Sequence, residues 1–216
     1  MEDSYRTKGL RKRLVEELME MGINNETVLN AVGDVPRHFF LDTAFLKFAY
    51  TNKAFPIGAG QTISHPYTVA VQSTLLEVER GDKVLEVGTG SGYQTAILCA
   101  MGIKVYSVER QRSLFLKTKK LLSKLKYDAY LTYGDGYKGI SGYGPYKGII
   151  VTCGAPEVPK SLLNQLEING KMVIPIDKEE GVQEMTRITK IADNQYKEER
   201  FGKFRFVPML PNRAMG

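Results

Sequence analysis

The stretch VLEVGTGSGY, Val84 to Tyr93, limits the fold more than any other part of the chain. Its opening is a short apolar run that reads as a buried strand, and the segment after it, YQTAILCAMG, reads as a helix. Between them Gly88, Gly90 and Gly92 occupy alternate positions. Glycines there let the backbone turn tightly and come close to a ligand, while the helix that follows offers unbonded N–H groups in its first turn.

The rhythm continues downstream. KVYSVE, DAYLTYG and YKGIIVTC read as strands and QRSLFLKTKKLLSKL as a helix, joined by short connectors. Strand–helix alternation of this kind builds a mostly parallel sheet with helices on both faces, and right-handed crossovers make it a Rossmann-like, doubly wound α/β fold. Upstream, Leu10, Leu14, Leu18 and Met21 recur at helical spacing over Arg6 to Met21, and a second helix fits Asn25 to Val32 before Pro36 breaks the pattern. Downstream, GKMVIPI, VQEMTRITKIA and YKEERFGKFRFVPML are β-rich pieces joined by turn-like DKEEG and DNQ, which predicts an antiparallel edge. One domain of 216 residues is expected, divided into a helical layer (1–50), a roof (51–80), a nucleotide-binding core (81–176) and a β-rich end (177–216).

Hydrophobic content of 43% and charged content of 25% suit a soluble globular chain, and no apolar run approaches the ~20 residues that span a bilayer. The start, MEDSYRTKGLRKRL, is charged throughout, so a cytoplasmic location without membrane association is expected. Two cysteines, Cys99 and Cys153, and two histidines are too few for a disulfide framework or a zinc cluster. The net charge of +6 admits a polyanion partner. The basic pile-ups at Arg11–Arg13 and Lys117–Lys120 lie on predicted helices, where solvated outer faces are the plainer reading.

The glycine spacing is G-x-G-x-G. A dinucleotide fingerprint would require a third small residue at position 93, where Tyr93 stands, and no Gly-Lys-Ser/Thr follows to make a P-loop. Glu109 ends the second strand, at the carboxyl edge beside the glycine turn, where a carboxylate can accept hydrogen bonds from both hydroxyls of a ribose. After the third strand comes GDG, where Asp135 can accept an adenine amino proton and Gly136 permits the turn. Either acid could equally be a solvated carboxylate.

VLEVGTGSGY, Glu109 and GDG together resemble the motifs of class I S-adenosylmethionine-dependent methyltransferases, with Glu86 at the acidic position before the loop. The resemblance implies S-adenosyl-L-methionine as cofactor and S-adenosyl-L-homocysteine as product, a nucleoside without a pyrophosphate.

A second stretch, PIGAGQTISHPYTVA (Pro56 to Ala70), is more specific. It resembles the signature of protein-L-isoaspartate (D-aspartate) O-methyltransferases, and the likeness extends in order through VTCGAPEVP, NGKMVIPI and FRFVPM. The resemblance implies methyl transfer to the free carboxylate of isoaspartyl and D-aspartyl residues in damaged proteins, a repair reaction. It implies Ser64 beside the reacting carboxylate, and Thr62, Ile63, Glu86, Gly88, Thr89, Gly90, Gly92, Glu109, Asp135 and Gly136 around the cofactor, with no metal. His65 carries no acid–base role, and Cys153 reads as a small apolar residue. Val151–Pro156 and FRFVPM are expected to line the peptide groove. An RNA or DNA base methyltransferase is the main alternative, although TCGAP follows the fourth strand where exocyclic-amine enzymes commonly carry Asn/Asp-Pro-Pro-aromatic. A noncatalytic nucleotide-binding module and a nicotinamide-dependent dehydrogenase fit less well, the latter because of Tyr93.

Overall fold

The computed structural model describes residues 2–214; Met1, Met215 and Gly216, at the two ends of the predicted segments, lie outside the described residues. Helix α1 (Tyr5–Glu20) begins where Ser4 accepts the Thr7 amide, and α2 (Glu26–Asp34) begins where Asn25 accepts that of Val28. These are N-caps of the expected type. Pro36 ends the second helix, and the chain continues in two 3-10 turns, Arg37–Phe40 and Thr43–Phe48.

One expectation for this layer needs correction. Helix α1 buries a narrow stripe through Arg11, Leu14 and Leu18, so Arg11 is not on a solvated face. It is buried, forms a bidentate pair with Asp3 at 2.9–3.1 Å, and donates to the Gly33 carbonyl and the Tyr50 hydroxyl, so that it binds α1 to the rest of the layer. Lys12, Arg13, Lys117, Lys119 and Lys120 are exposed as expected.

The roof is a β-hairpin. Strands β1 (Phe55–Gly58) and β2 (Gln61–Ile63) pair antiparallel around Ala59 and Gly60, both at positive φ, and Ser64 and His65 lead into helix α3 (Pro66–Leu75) with proline at its first position.

The alternating region then follows as β3 (Lys83–Val87), α4 (Tyr93–Ala100), β4 (Lys104–Glu109), α5 (Arg112–Lys124), β5 (Ala129–Tyr133) and β6 (Tyr146–Val151). After it come the short α6 (Lys160–Leu163) and the long strands β7 (Leu166–Glu179), β8 (Val182–Ala192) and β9 (Gln195–Phe204). The sheet order is β5-β4-β3-β6-β7-β8-β9, parallel from β5 to β7 and antiparallel at the β7–β8 and β8–β9 pairings. This is the expected Rossmann-like α/β sheet with an antiparallel edge. Two 3-10 turns, Gly136–Lys138 and Ser141–Tyr143, take the place of a full helix between β5 and β6.

Strands β3 and β6 are almost entirely buried, as strands covered on both faces must be. Between them the strand order reverses direction, and open α/β sheets bind ligands in the crevice at that point. The C-terminal tail runs across the crevice. Gly154 and Met209 exchange backbone hydrogen bonds with the opposite segment, and Ala214 donates to the Arg110 carbonyl while accepting from the Tyr133 hydroxyl. Among the described residues no helix is long and apolar enough to cross a membrane.

Candidate active site

A partly open cleft lies at this switch point, where open α/β sheets take their ligands. Its floor is the glycine loop, Gly88 to Ser91, with Glu109 at the end of β4. One wall is Thr62, Ile63 and Ser64 at the end of the hairpin. The other is Thr152, Cys153 and the tail segment Val207–Leu210.

The loop is held open by contacts that only glycine permits. Gly88 sits at φ +97, and a Cβ there would lie 2.5 Å from Thr152 Oγ1, which donates to the Gly88 carbonyl at 2.6 Å. At Gly92, φ +86, a Cβ would come within 2.7 Å of Thr118 on α5, whose hydroxyl donates to the Gly90 carbonyl at 2.6 Å. Thr118 and Thr152 thus fasten the loop from opposite sides. Composition gives no sign of either, since isolated threonines occur throughout the chain.

Glu109 is buried. One carboxylate oxygen accepts the Gly90 amide at 2.8 Å and the other the Gln111 amide at 2.7 Å. Two of its roughly four acceptor positions remain for a ligand.

Of the residues expected around the cofactor, Thr62, Ile63, Gly88, Thr89, Gly90, Glu109 and Gly136 line the cleft, as does Ser64; three others do not. Gly92 lies one step behind the loop and serves its packing on α5. Asp135 turns its carboxylate onto the Tyr137 amide at 3.0 Å, capping the 3-10 turn that follows β5. Glu86 points into the sheet interior with no exposed surface, because successive strand side chains face opposite sides. There it accepts from Thr95 at 2.5 Å and Ser107 at 2.7 Å, and Ser107 in turn bonds Thr89 at 2.6 Å. Burial pushes the Glu86 carboxyl up to about 8, with the two hydroxyls acting against that rise. The rise favours its neutral form, and through these hydroxyls it ties loop, β4 and α4 together from beneath.

Tyr93 explains how a bulky residue is accommodated after the third glycine. Its ring turns into the core, 5.7 Å edge-on from Phe40. Cys153 lines the cleft half-buried, and burial raises its thiol to about 12, so it remains protonated and unreactive at neutral pH. Cys99 is half-buried at the margin of the core. His65 is exposed at the start of α3, with its pKa lowered by desolvation and by Arg37, and stands in a shallow cleft beside Tyr67 and Phe204.

The donors and acceptors suit a nucleoside that lacks phosphate. Among the described residues that line the cleft the one basic side chain, Arg110, donates to the Pro211 and Asn212 carbonyls of the tail. A buried carboxylate beside the glycine amides would repel a pyrophosphate and accept ribose hydroxyls.

The family model for protein-L-isoaspartate(D-aspartate) O-methyltransferase matches residues 9–214. The chain belongs to this family. A protein-L-isoaspartate O-methyltransferase of Christiangramia forsetii is 56% identical, covering 99% of this chain and all of the relative. One of Flavobacterium psychrophilum is 55% identical over the same shares. The crystal structure of a Plasmodium falciparum protein-L-isoaspartate O-methyltransferase in complex with S-adenosyl-L-homocysteine superposes with a TM-score of 0.81 at 27% identity, covering 94% of this chain and 99% of that one. The protein is accordingly an S-adenosylmethionine-dependent carboxyl methyltransferase of isoaspartyl protein repair. The reading as a nucleic-acid base methyltransferase is not favoured.

Proposed function

We propose that Ser64 receives the isoaspartyl carboxylate while the glycine loop and Glu109 hold the cofactor, so that the hairpin and the loop face each other across one reacting site. The observation that carries this reading is that both elements line the same cleft. Among the described residues the Ser64 hydroxyl makes no hydrogen bond, which leaves it to a ligand. S-adenosylmethionine, when bound, supplies an electrophilic methyl on a sulfonium. Gly88 and Gly90 admit it by close backbone approach, and Glu109 accepts its ribose hydroxyls.

The residues have little proton chemistry to do. A carboxylate with a pKa near ~4 is already ionised at neutral pH, and no general base is required. What remains is alignment of the carboxylate oxygen with the methyl, which contributes up to ~7–11 kcal/mol in favourable intramolecular systems. Ser64 fixes one oxygen through a single neutral donor. A set of strong cationic donors in direct contact would stabilise the charged ground state over a transition state in which the charges are disappearing, and so slow the step. The tail at Val207–Leu210 and the residues Thr152 and Cys153 form the far wall, where a peptide backbone passes. The methyl ester formed has methanol as leaving group, which favours closure to a succinimide and return of part of the chain to the normal aspartyl linkage.

The test offers isotope-labelled S-adenosylmethionine with an isoaspartyl peptide, with its aspartyl isomer and with RNA. Base-labile label on the isoaspartyl peptide alone is expected. Label on RNA alone, or equal labelling of the two peptides, contradicts the reading.

A further inference from the structure

Arg37 is the largest side chain with no exposed surface, and it meets no carboxylate within 4.0 Å among the described residues. It is the first residue of the first 3-10 turn, directly after Pro36. A guanidinium buried without an anionic partner is an expensive placement, and an apolar residue of similar volume would commonly serve stability as well or better. Its contacts indicate what the placement achieves. Nη2 donates to two backbone carbonyls, Lys53 at 3.1 Å and Ser64 at 2.8 Å. Lys53 lies two residues before β1 and Ser64 directly after β2, so one nitrogen closes both ends of the hairpin. On its other side the guanidinium lies 4.7 Å from the centre of the Tyr93 ring, the first residue of α4 after the glycine loop. Nε and Nη1 find no hydrogen-bond acceptor among the described residues, so the two carbonyls and the ring face are what compensate the charge.

We propose that Arg37 is a positioning residue for methyl transfer: it locks the peptide plane that follows Ser64, holds the roof against the start of α4, and thereby sets the Ser64 hydroxyl toward the acceptor carboxylate. This rests on the reading of Ser64 as the residue that receives that carboxylate. Arg37 does not line the cleft and touches neither reactant, so it acts through Ser64. Burial lowers its pKa to about 10, which leaves it cationic at neutral pH. The positive charge behind Ser64 also favours an anionic acceptor over a neutral one, without the direct contact that would trap the ground state.

Arg37→Met removes clamp and charge at similar volume. The expected result is a fall in kcat/KM for isoaspartyl peptide of about 10- to 100-fold, the value of a hydrogen bond from a charged donor, with the Kd for S-adenosylhomocysteine by calorimetry within about twofold of wild type. Arg37→Lys keeps the charge on a shorter stem and should recover part of the loss. In the Ser64→Ala background, Arg37→Met should add little, because residues acting through one another are non-additive. Unchanged kcat and KM in a folded Arg37→Met protein would overturn the proposal, as would a matching loss of S-adenosylhomocysteine affinity or full additivity with Ser64→Ala. If Arg37→Met does not fold, Arg37→Lys carries the test, and full activity with unchanged KM contradicts it. Wild-type protein that fails to esterify isoaspartyl peptide would defeat the Ser64 reading itself, a result separable from any behaviour of the Arg37 variants.

Discussion

The two sides of the cleft are built by different means. The floor rests on backbone geometry: Gly88, Gly90 and Gly92 at positive φ, fastened by Thr118 and Thr152, a buried carboxylate on the Gly90 and Gln111 amides, and strands whose register brings Val87 level with Val108 and Val151. The roof is held by side chains. Its hairpin is placed by an arginine 27 residues before Ser64, by Asn52 accepting the Tyr67 amide across 15 residues, and by core contacts of Phe55 and Ile63. A floor made of backbone geometry tolerates almost no side-chain change. A roof held by a few long-range polar contacts can shift while the cofactor pocket stays intact, so mutations on the two sides should separate cofactor binding from turnover.

The sharpest break is Gly88→Ala. Its Cβ would meet Thr152 Oγ1 at 2.5 Å on a backbone at φ +97, and a left-handed backbone plus a core overlap should cost about 2–4 kcal/mol. S-adenosylhomocysteine binding by calorimetry should fall below detection, together with a lower melting temperature. Ser64→Ala touches the roof alone. Its kcat should drop on the order of 10²-fold, the scale of a small misplacement of a reactant, with the calorimetric Kd for S-adenosylhomocysteine unchanged. A parallel loss of both would erase the distinction between floor and roof.

That distinction also governs what could be read without coordinates. The glycine turn, Glu109 and the strand–helix rhythm obey rules of spacing and period, and the structure places them where those rules put them. The long β7–β8–β9 edge was legible for the same reason. Glu86 and Asp135 were legible as acids near the loop but not as to direction: one residue of strand pleat turns Glu86 into the core, and an Asx-type bond turns Asp135 onto its own 3-10 turn. Arg37 gave no signal, since an arginine after a proline ordinarily reads as surface, and its partners are carbonyls that every residue possesses. Arg11 reads from the sequence as solvated, and is buried, for a related reason. Helical period separates faces, but it does not say that Asp3 and the Gly33 carbonyl will wait on the face an arginine occupies.

Glu109→Ala probes the floor more gently than Gly88. Loss of charge-assisted ribose contacts should weaken S-adenosylhomocysteine by about 1–3 kcal/mol, with the melting temperature of the unliganded protein affected less than by Gly88→Ala. A last effect concerns Glu86 and is read against pH. Its folded pKa, about 8, lies above its ordinary 4.5, so the folded state holds the proton more tightly than the unfolded state. The stability this contributes is complete below about pH 4.5 and is lost as pH rises through 8. Glu86→Gln has no proton to lose. The melting temperature of the wild type should therefore fall relative to that variant between pH 5 and 8, and a constant gap would show that Glu86 does not titrate across that window.

The most direct measurement is a crystal structure with S-adenosylhomocysteine and an isoaspartyl peptide bound together. The expected complex has the Ser64 hydroxyl within hydrogen-bonding distance of the isoaspartyl carboxylate, the carboxylate facing the sulfur, and Arg37 still bonded to the Lys53 and Ser64 carbonyls. A peptide carboxylate seated away from Ser64, or a hairpin swung clear of the sulfur with both ligands in place, would contradict the account.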